Sequence, residues 1–356
     1  LRGLLAAQGV ATLGLLPLTV LLFGQASLLG PLANLLAIPW WSLVVVPLCV
    51  LGVLLEALWP GAGIWAWQAA GMAFAPSWTL FSWLADSPLA LWWLPESGLL
   101  AAMLALLAAA WWLLPAALPG KGLACLLWLP LLWPQRSLPL PPDGVELHLL
   151  DVGQGLAVLV RTHRHSLLYD AGPRLRGGFD AGQRVVVPAL HALGVRRLDM
   201  LMLSHGDADH AGGMGAVRSA FAVEQLRTPP GMGKVPATAC LRGQRWRWDG
   251  VDFEVLHPPR HFPYLGNESS CVLRISNAYG AILLTGDIGQ VVERQLLAAD
   301  ASRLRADVVL APHHGSAGSS QAALVRATGA RLALVSAGRG NRFGHPDVQV
   351  VRRWRQ

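Results

Sequence analysis

Charge is almost missing from the first third of this chain: between residues 1 and 120 only Arg2, Glu56, Asp86 and Glu96 carry it. That scarcity excludes an ordinary water-facing surface there, since a soluble domain carries about one charged residue in four. Cysteine is scarce too, with 4 in 356 residues. Cys49 and Cys125 fall in apolar segments and read as core-like, whereas Cys240 and Cys271 can pair only in an oxidising compartment. No basic stretch precedes a single short apolar core, and several apolar segments follow, which argues against a cleaved signal peptide.

What fills the uncharged third is long apolar sequence. Ala7 to Phe23, Leu35 to Leu55 and Leu99 to Leu118 each run for about 20 residues, enough to cross roughly 30 Å of hydrocarbon. Gly61 to Leu84 is richer in Trp and Gly, and Leu123 to Trp133 is short for a crossing, so the count is three to five helices. Tryptophans such as Trp40, Trp41, Trp67 and Trp83 read as anchors at the headgroup level. Glu56, Asp86 and Glu96 read as carboxylates reaching the interface, with a pore-facing group as the alternative. Orientation stays open, because only Lys121 and Arg136 flank the last segments.

Residues 1–135 therefore form a polytopic helical membrane segment. A proline-rich linker at 136–144 follows, with Pro139, Pro141 and Pro142 stiffening it, and then a soluble domain at 145–356. From Arg136 onward there are 26 Lys and Arg (28 less Arg2 and Lys121) against 18 Asp and Glu (21 less Glu56, Asp86 and Glu96), a net of about +8. Almost all the bases are Arg. Such a surface suits a polyanion, plain solubility or contact with anionic lipid, and charge alone does not choose. Arg242, Arg245 and Arg247, interleaved with Trp246 and Trp248, fit base stacking or, better, an edge strand with one packed face.

In the soluble part, short β runs at Val145 to Leu150, Gly155 to Arg161, Ser166 to Tyr169 and Leu198 to Leu203 alternate with helical spacing at Gly182 to Leu193 and Met214 to Ala220. A second set pairs strands near Phe253, Cys271, Ile282, Asp307 and Arg331 with helices at Gln290 to Ala299 and Gln321 to Ala327. The pattern predicts two sheets between helices, an αββα sandwich.

The chemistry gathers where strands end. Ser204-His205-Gly206-Asp207-Ala208-Asp209-His210 follows an apolar strand and places four potential metal ligands within six residues. An acidic helix cap with Asp209 as its cap residue is the bland alternative, but a cap needs one carboxylate and no histidines. Thr285-Gly286-Asp287, Pro312-His313-His314-Gly315-Ser316 and Gly344-His345-Pro346 each follow another strand. Singly these are weak; together they form a ligand set for two divalent ions, which polarise a phosphoryl oxygen and supply a hydroxide.

The order H-x-D-x-D-H, T-G-D, H-H-G-S resembles the metallo-β-lactamase superfamily. With D-V-G-Q-G at Asp151 to Gly155, Y-D-A-G at Tyr169 to Gly172, N-x-x-S at Asn267 to Ser270 and the Trp-rich helices ahead, the chain resembles the ComEC family of competence DNA-uptake proteins. The resemblance implies an αββα hydrolase fused to a polytopic inner-membrane channel that passes one DNA strand. The hydrolase, on the periplasmic side, would degrade the other strand. It also implies a periplasmic DNA receptor and a cytoplasmic DNA-translocating helicase as partners, with a homo-oligomer as a further alternative. By position, His205, Asp207, Asp209 and His210 match the signature ligands, Asp287 the bridging carboxylate, and His313 or His314 the late histidine. Asp209 would also orient the attacking water, Asp207 is a further catalytic candidate, and His345 would bind metal or contact the scissile phosphate. Asp170, Asp151, Gln154, Asn267 and Ser270 would support the ligands from behind.

The chain starts at Leu1 without Met and stops inside an expected helix, so it reads as a fragment lacking the family's amino-terminal nucleic-acid-binding-like domain and early helices. Two other readings stand beside uptake: a membrane-tethered hydrolase acting on a small phosphodiester or a lactam, and a channel component with a silent metal domain. His257 and His261 flank Pro258-Pro259 and read as a surface turn, with replacement of a missing ligand as the alternative. His148, His163, His165 and His191 read as structural. Asp207 stands where most superfamily members have His, and an oxygen-richer set favours Mn²⁺ over Zn²⁺, with Mg²⁺ as another candidate. Metal-free protein should regain activity better with Mn²⁺ than with Zn²⁺. Protein that keeps stoichiometric zinc and stays inactive with manganese would overturn that preference.

Overall fold

The computed structural model of the chain describes residues 2–87, 89–114, 119–133, 140–175, 177–233 and 236–356. Two compact units, Leu1–Arg136 and Ser137–Gln356, divide it. Residues 136–139 of the proline-rich linker lie outside the described residues, as do 115–118 at the end of the third apolar run.

The first unit is helical, with helices at Arg2–Phe23, Gly30–Leu58, Gly63–Ala85, Leu99–Leu113 and Lys121–Leu132. Among the described residues, Gly3–Phe23 and Gly30–Leu58 are long and apolar enough to cross a membrane, and their apolar windows are only 11% and 6% buried. A core helix of a soluble protein would hide that surface. The expected count of three to five falls to two by this measure. Leu99–Leu113, at 15 residues, is about 22 Å long and short of the hydrocarbon thickness, and Gly63–Ala85 has the length but less apolarity.

A π-helical stretch, Trp41–Val45, interrupts Gly30–Leu58 between Pro39 and Pro47, where the missing proline N–H groups break the regular ladder. Three of the tryptophans expected at the headgroup level also bond from helix to helix. Trp40 Nε1 donates to the Ala73 carbonyl, Trp41 Nε1 to Ser77 Oγ, and Trp67 Nε1 to the Cys49 carbonyl. They tie the two helices together, because an indole N–H in apolar surroundings needs an acceptor and only the neighbouring helix offers one. Glu56 accepts from Gly61 N at 2.9 Å and Gly63 N at 3.0 Å, satisfying orphan donors at a helix start.

The second unit is an α/β sandwich. One sheet runs in chain order through Glu146–Leu149, Val158–Arg161, Ser166–Tyr169, Leu198–Met202, Val223–Thr228 and Thr238–Ala239. It is antiparallel at its start and parallel from Ser166–Tyr169 onward. The other sheet runs from Leu332–Leu334 through Val308–Leu310, Ala281–Leu284, Val272–Ser276 and Val251–His257 to Arg245–Trp248, parallel across its first three strands. Alternating apolar residues of both sheets, among them Val158, Tyr169, Met200, Phe253, Leu273 and Leu310, form the inner core. The Cys240–Cys271 disulfide lies in that core. On the outside of the second sheet, Gln290–Asp300 and Ala322–Thr328 bury Val292, Leu296 and Leu324 against Leu283 and Val309.

Arg245–Trp248 is indeed an edge strand. Its Trp246 ring stacks on Phe253 at 5.1 Å, packing inward, so it is not available to bases.

The loops carrying Asp170, His205 to His210, Asp287, His313 to His314 and His345 leave the C-terminal ends of strands with a parallel neighbour, the usual crevice for ligands in α/β sheets. Close backbone approach there requires glycine. Gly286, at φ +56°, has no room for a Cβ, which would sit 2.8 Å from Ser270 Cβ and 2.9 Å from Ser204 Cβ. Gly286→Ala should therefore lower stability by about 2 kcal/mol or more, combining left-handed strain with overpacking. Thermal unfolding checks this, and an unchanged midpoint would contradict it.

Candidate metal centre

The loop after Leu198–Met202 carries His205 and then a short helix, Ala208–Ala211. Asp207 is the residue before that helix and its side chain makes no capping bond, so capping does not explain these carboxylates. Asp170, at φ +61° and fully buried, organises the loop from the neighbouring strand. Its Oδ1 accepts from Ser204 N at 2.6 Å, and its Oδ2 from Ser204 Oγ at 2.7 Å and His210 Nδ1 at 2.8 Å. Ser204 Oγ, its proton given to Asp170, accepts from His205 Nδ1 at 3.0 Å.

His314 is held in the same manner, its Nδ1 donating to the Ser336 carbonyl at 2.7 Å. With each Nδ1 engaged in this way, the Nε2 atoms of His205, His210 and His314 turn inward, and in a neutral imidazole each would present a lone pair to a cation. His210 Nε2 and His314 Nε2 lie 3.2 Å apart, and each is 3.2 Å from Asp287 Oδ2. Asp209 Oδ2 is 3.4 Å from His314 Nε2. His205 Nε2 is buried without a hydrogen-bond partner. Lone pairs and carboxylate oxygens facing one another repel unless positive charge sits among them, so this donor set fits a divalent cation. Two groups, His205–His210–Asp287 and Asp209–His210–His314, bring their ligand atoms within 4.8 Å of one another.

The electrostatics agree. Burial alone would push the Asp287 carboxyl up, yet His210 and His314 hold it well below its usual range. Burial would lower His314, but Asp209 and Asp287 push it up to about 9. His210 likewise rises well above its ordinary value, Asp287 and Asp170 overcoming desolvation. The pocket favours positive charge.

Other expected residues divide. Asp207 is outside both groups, its Oδ2 3.7 Å from His205 Nε2, and its side chain is 55% exposed. Of the two adjacent histidines, His314 is in the cluster, while His313 Nε2 lies 3.8 Å from Asp287 and 3.4 Å from Asn267 Nδ2. Both adopt left-handed backbone, φ +50° and +54°, a strain that persists only where surroundings impose it. Ser270 Oγ accepts from Asp287 N at 3.0 Å and lies 3.4 Å from His205 Nδ1, bracing both. His345 stands behind, its ring 6.2 Å from His314 and 5.8 Å from His313, with Nδ1 buried and unpartnered.

Asp151 does not reach the loop; its exposed carboxylate accepts from Gly153 N, the turn role. Gln154 supports a different loop, its Oε1 accepting from Gly338 N at 3.2 Å. The surface-turn reading of His257 is corrected: it is 2% exposed, bonded through Nδ1 to the Ser270 carbonyl, and burial pushes it down to about 4. Sequence reasoning missed three contributors. Ser204 was quoted without a role, Ser336 acts through its carbonyl, and Tyr264 accepts from Gly206 N at 2.8 Å; backbone acceptors leave no pattern.

Residues 150–339, more than half of the chain, match the metallo-beta-lactamase superfamily. The chain belongs to the metallo-β-lactamase superfamily. Ahead of that superfamily domain, residues 1–119 match the competence protein family. The chain is 36% identical to competence protein ComA of Neisseria gonorrhoeae, over 98% of its own length and 49% of that protein's. It is 30% identical to recombination protein 2 of Haemophilus influenzae, over 95% of its length and 45% of that protein's. It is 28% identical to ComE operon protein 3 of Bacillus subtilis, over 96% and 48%. The chain spans about half the length of these curated relatives. Among solved structures, the metallo-beta-lactamase fold protein YhfI from Bacillus subtilis aligns at 15% identity with a TM-score of 0.37, over 58% of this chain and 90% of that one. Superfamily membership implies a divalent-metal site and hydrolytic chemistry, in accord with the donor set.

Asp170→Asn should cost roughly 10- to 100-fold in metal affinity, since it disturbs the acceptor that orients His210 and Ser204. Titration of metal-free protein checks this, and unchanged affinity would remove Asp170 from the supporting role.

Proposed function

We propose that this chain is the helical and hydrolase portion of an inner-membrane DNA-uptake protein. Its metal domain cleaves phosphodiesters of the strand that is not transported. The observation that carries the reading is the inward convergence of three imidazole Nε2 atoms with Asp209 and Asp287, in a domain of net positive charge. A divalent ion bound there would polarise a phosphoryl oxygen and acidify water. His205, His210, His314, Asp209 and Asp287 are the residues that would hold two ions, with Asp207 and His313 as further candidates; Mn²⁺ is favoured over Zn²⁺ and Mg²⁺.

Asp209 also orients the attacking water. Its side chain is 35% exposed on one side of the cluster, and although burial pushes its carboxyl up, His314 and His210 hold it below its usual range. It is therefore ionised and able to accept a hydrogen bond at neutral pH. His345, whose ring is 6.2 Å from that of His314 and 5.8 Å from that of His313, would contact the scissile phosphate.

The apolar, exposed helices support placement in a membrane. The buried Cys240–Cys271 disulfide supports a periplasmic rather than a cytoplasmic domain. The channel role, a periplasmic receptor, a cytoplasmic helicase and self-association come to this chain from the competence-family likeness.

The test is DNA hydrolysis by the full chain in detergent, with Asp209→Ala and Asp287→Ala alongside. Both variants should lose at least about 100-fold in rate, and binding of DNA should weaken steeply with salt as counterions are released. Cleavage indifferent to salt would favour a small phosphodiester, and no cleavage with any metal would leave only a scaffold.

A further inference from the structure

The loop that carries His345 leaves one aromatic ring in solvent beside the centre. Phe343 is 53% exposed. Its ring lies 5.6 Å from that of His345 with 22° between planes. His345 in turn lies 6.2 Å from His314, again at 22°, so three rings step from the surface to a member of the metal cluster. The Arg342 guanidinium lies 4.8 Å over the Phe343 ring, and Arg342 is itself exposed.

This ring is not on a loose tip. Asn341 Oδ1 accepts from Phe343 N at 3.1 Å and from His345 N at 3.0 Å, and Asn341 Nδ2 donates to the His345 and Gly338 carbonyls at 2.6 and 2.9 Å. Gly338 N is tied to Gln154. A rigid polar loop that holds a phenyl ring in water forgoes its burial, and a preset ring meets a partner with little ordering entropy. Further cations lie on the two loops. Arg339 is exposed on this loop, and Arg174, exposed as well, joins the metal loop through its N–H to the Ala208 carbonyl at 3.2 Å.

We propose that Phe343 and Arg342 form a stacking platform for a base of single-stranded nucleic acid, next to the phosphate bound at the metal centre. The base takes the face of Phe343 that the flexible Arg342 now covers, and the guanidinium turns to a neighbouring phosphate. A π-face and a cation without base-edge donors at fixed positions give sequence-tolerant binding, as single-strand recognition requires. The platform deepens the nuclease reading of this site and rests on it only for the position of the phosphate.

The experiment uses the full chain in detergent with divalent metal present, and a single-stranded oligonucleotide with hydrolysis-resistant phosphorothioate linkages containing 2-aminopurine, whose fluorescence is quenched by stacking. Wild type and Phe343→Trp should bind with quenching. Phe343→Ala should bind roughly tenfold more weakly without the quench. An oligonucleotide of abasic residues should bind wild type no better than it binds Phe343→Ala. Equal affinity and equal quenching in Phe343→Ala, whose exposed side chain leaves the core intact, would overturn the platform. Phe343-dependent quenching in a protein that cleaves no DNA with any metal would leave the platform standing and remove the nuclease. Cleavage in a protein whose quenching ignores Phe343 would do the reverse.

Discussion

Two imidazole nitrogens held 3.2 Å apart, each with its other nitrogen already committed as a donor, set the terms for the whole hydrolase domain. Such a pair is unfavourable unless positive charge lies between and beside it, and Asp287 and Asp209 deepen that demand. The surrounding structure serves to hold this arrangement against its own repulsion. Asp170 fixes His210 and Ser204 from one sheet, Ser336 fixes His314 from the other, and Ser270 braces Asp287 and His205. Left-handed backbone at Asp170, His313 and His314 is further strain that the fold sustains at the same place.

The two sheets make this affordable because their parallel strands end together. Tyr169 donates to the Cys271 carbonyl at 2.6 Å across the sandwich, Cys271 N donates to the Ser204 carbonyl, and Ser336 Oγ donates to the Gly155 carbonyl. These bonds join the sheets at the end where ligands gather, so the loops are placed by the core rather than by their own preferences. Gly155, at φ +144°, lets this packing close, since a Cβ there would lie 2.4 Å from the Asp209 carbonyl oxygen. The helical unit is built differently. Its apolar side chains stay exposed, while the N–H groups of Trp40, Trp41 and Trp67 find acceptors within the unit and Glu56 accepts from Gly61 and Gly63, an arrangement compatible with a hydrocarbon surrounding.

Aromatic residues beside arginines end in different places in this domain. Trp246 is drawn into the core against Phe253, which leaves its neighbouring arginines as a charged face, whereas Phe343 is kept out of the core by a loop wired through Asn341. An aromatic beside an arginine is thus packed away in one place and left in solvent in another, according to where the backbone turns it.

Local pattern was enough for much of this. Ser166–Tyr169 and Met214–Ala220 were legible because period and punctuation agree with the elements formed. The H-x-D-x-D-H loop was legible because no other use of so many ligands in six residues is physically economical. The Val223–Thr228 strand was not, since its mixed polar sequence forms a strand through pairing with Leu198–Met202 and Thr238–Ala239. The choice of His314 over its neighbour, the burial of His257 and the retreat of Asp151 to a turn depend on backbone direction and on carbonyl partners that no side-chain spacing encodes. By itself the sequence determined which residues can bind a cation and that an apolar helical unit precedes them, because both follow from side-chain chemistry and solvation. Only the tertiary structure decided which of those side chains meet, because the meeting point lies between two sheets joined by contacts more than 100 residues apart.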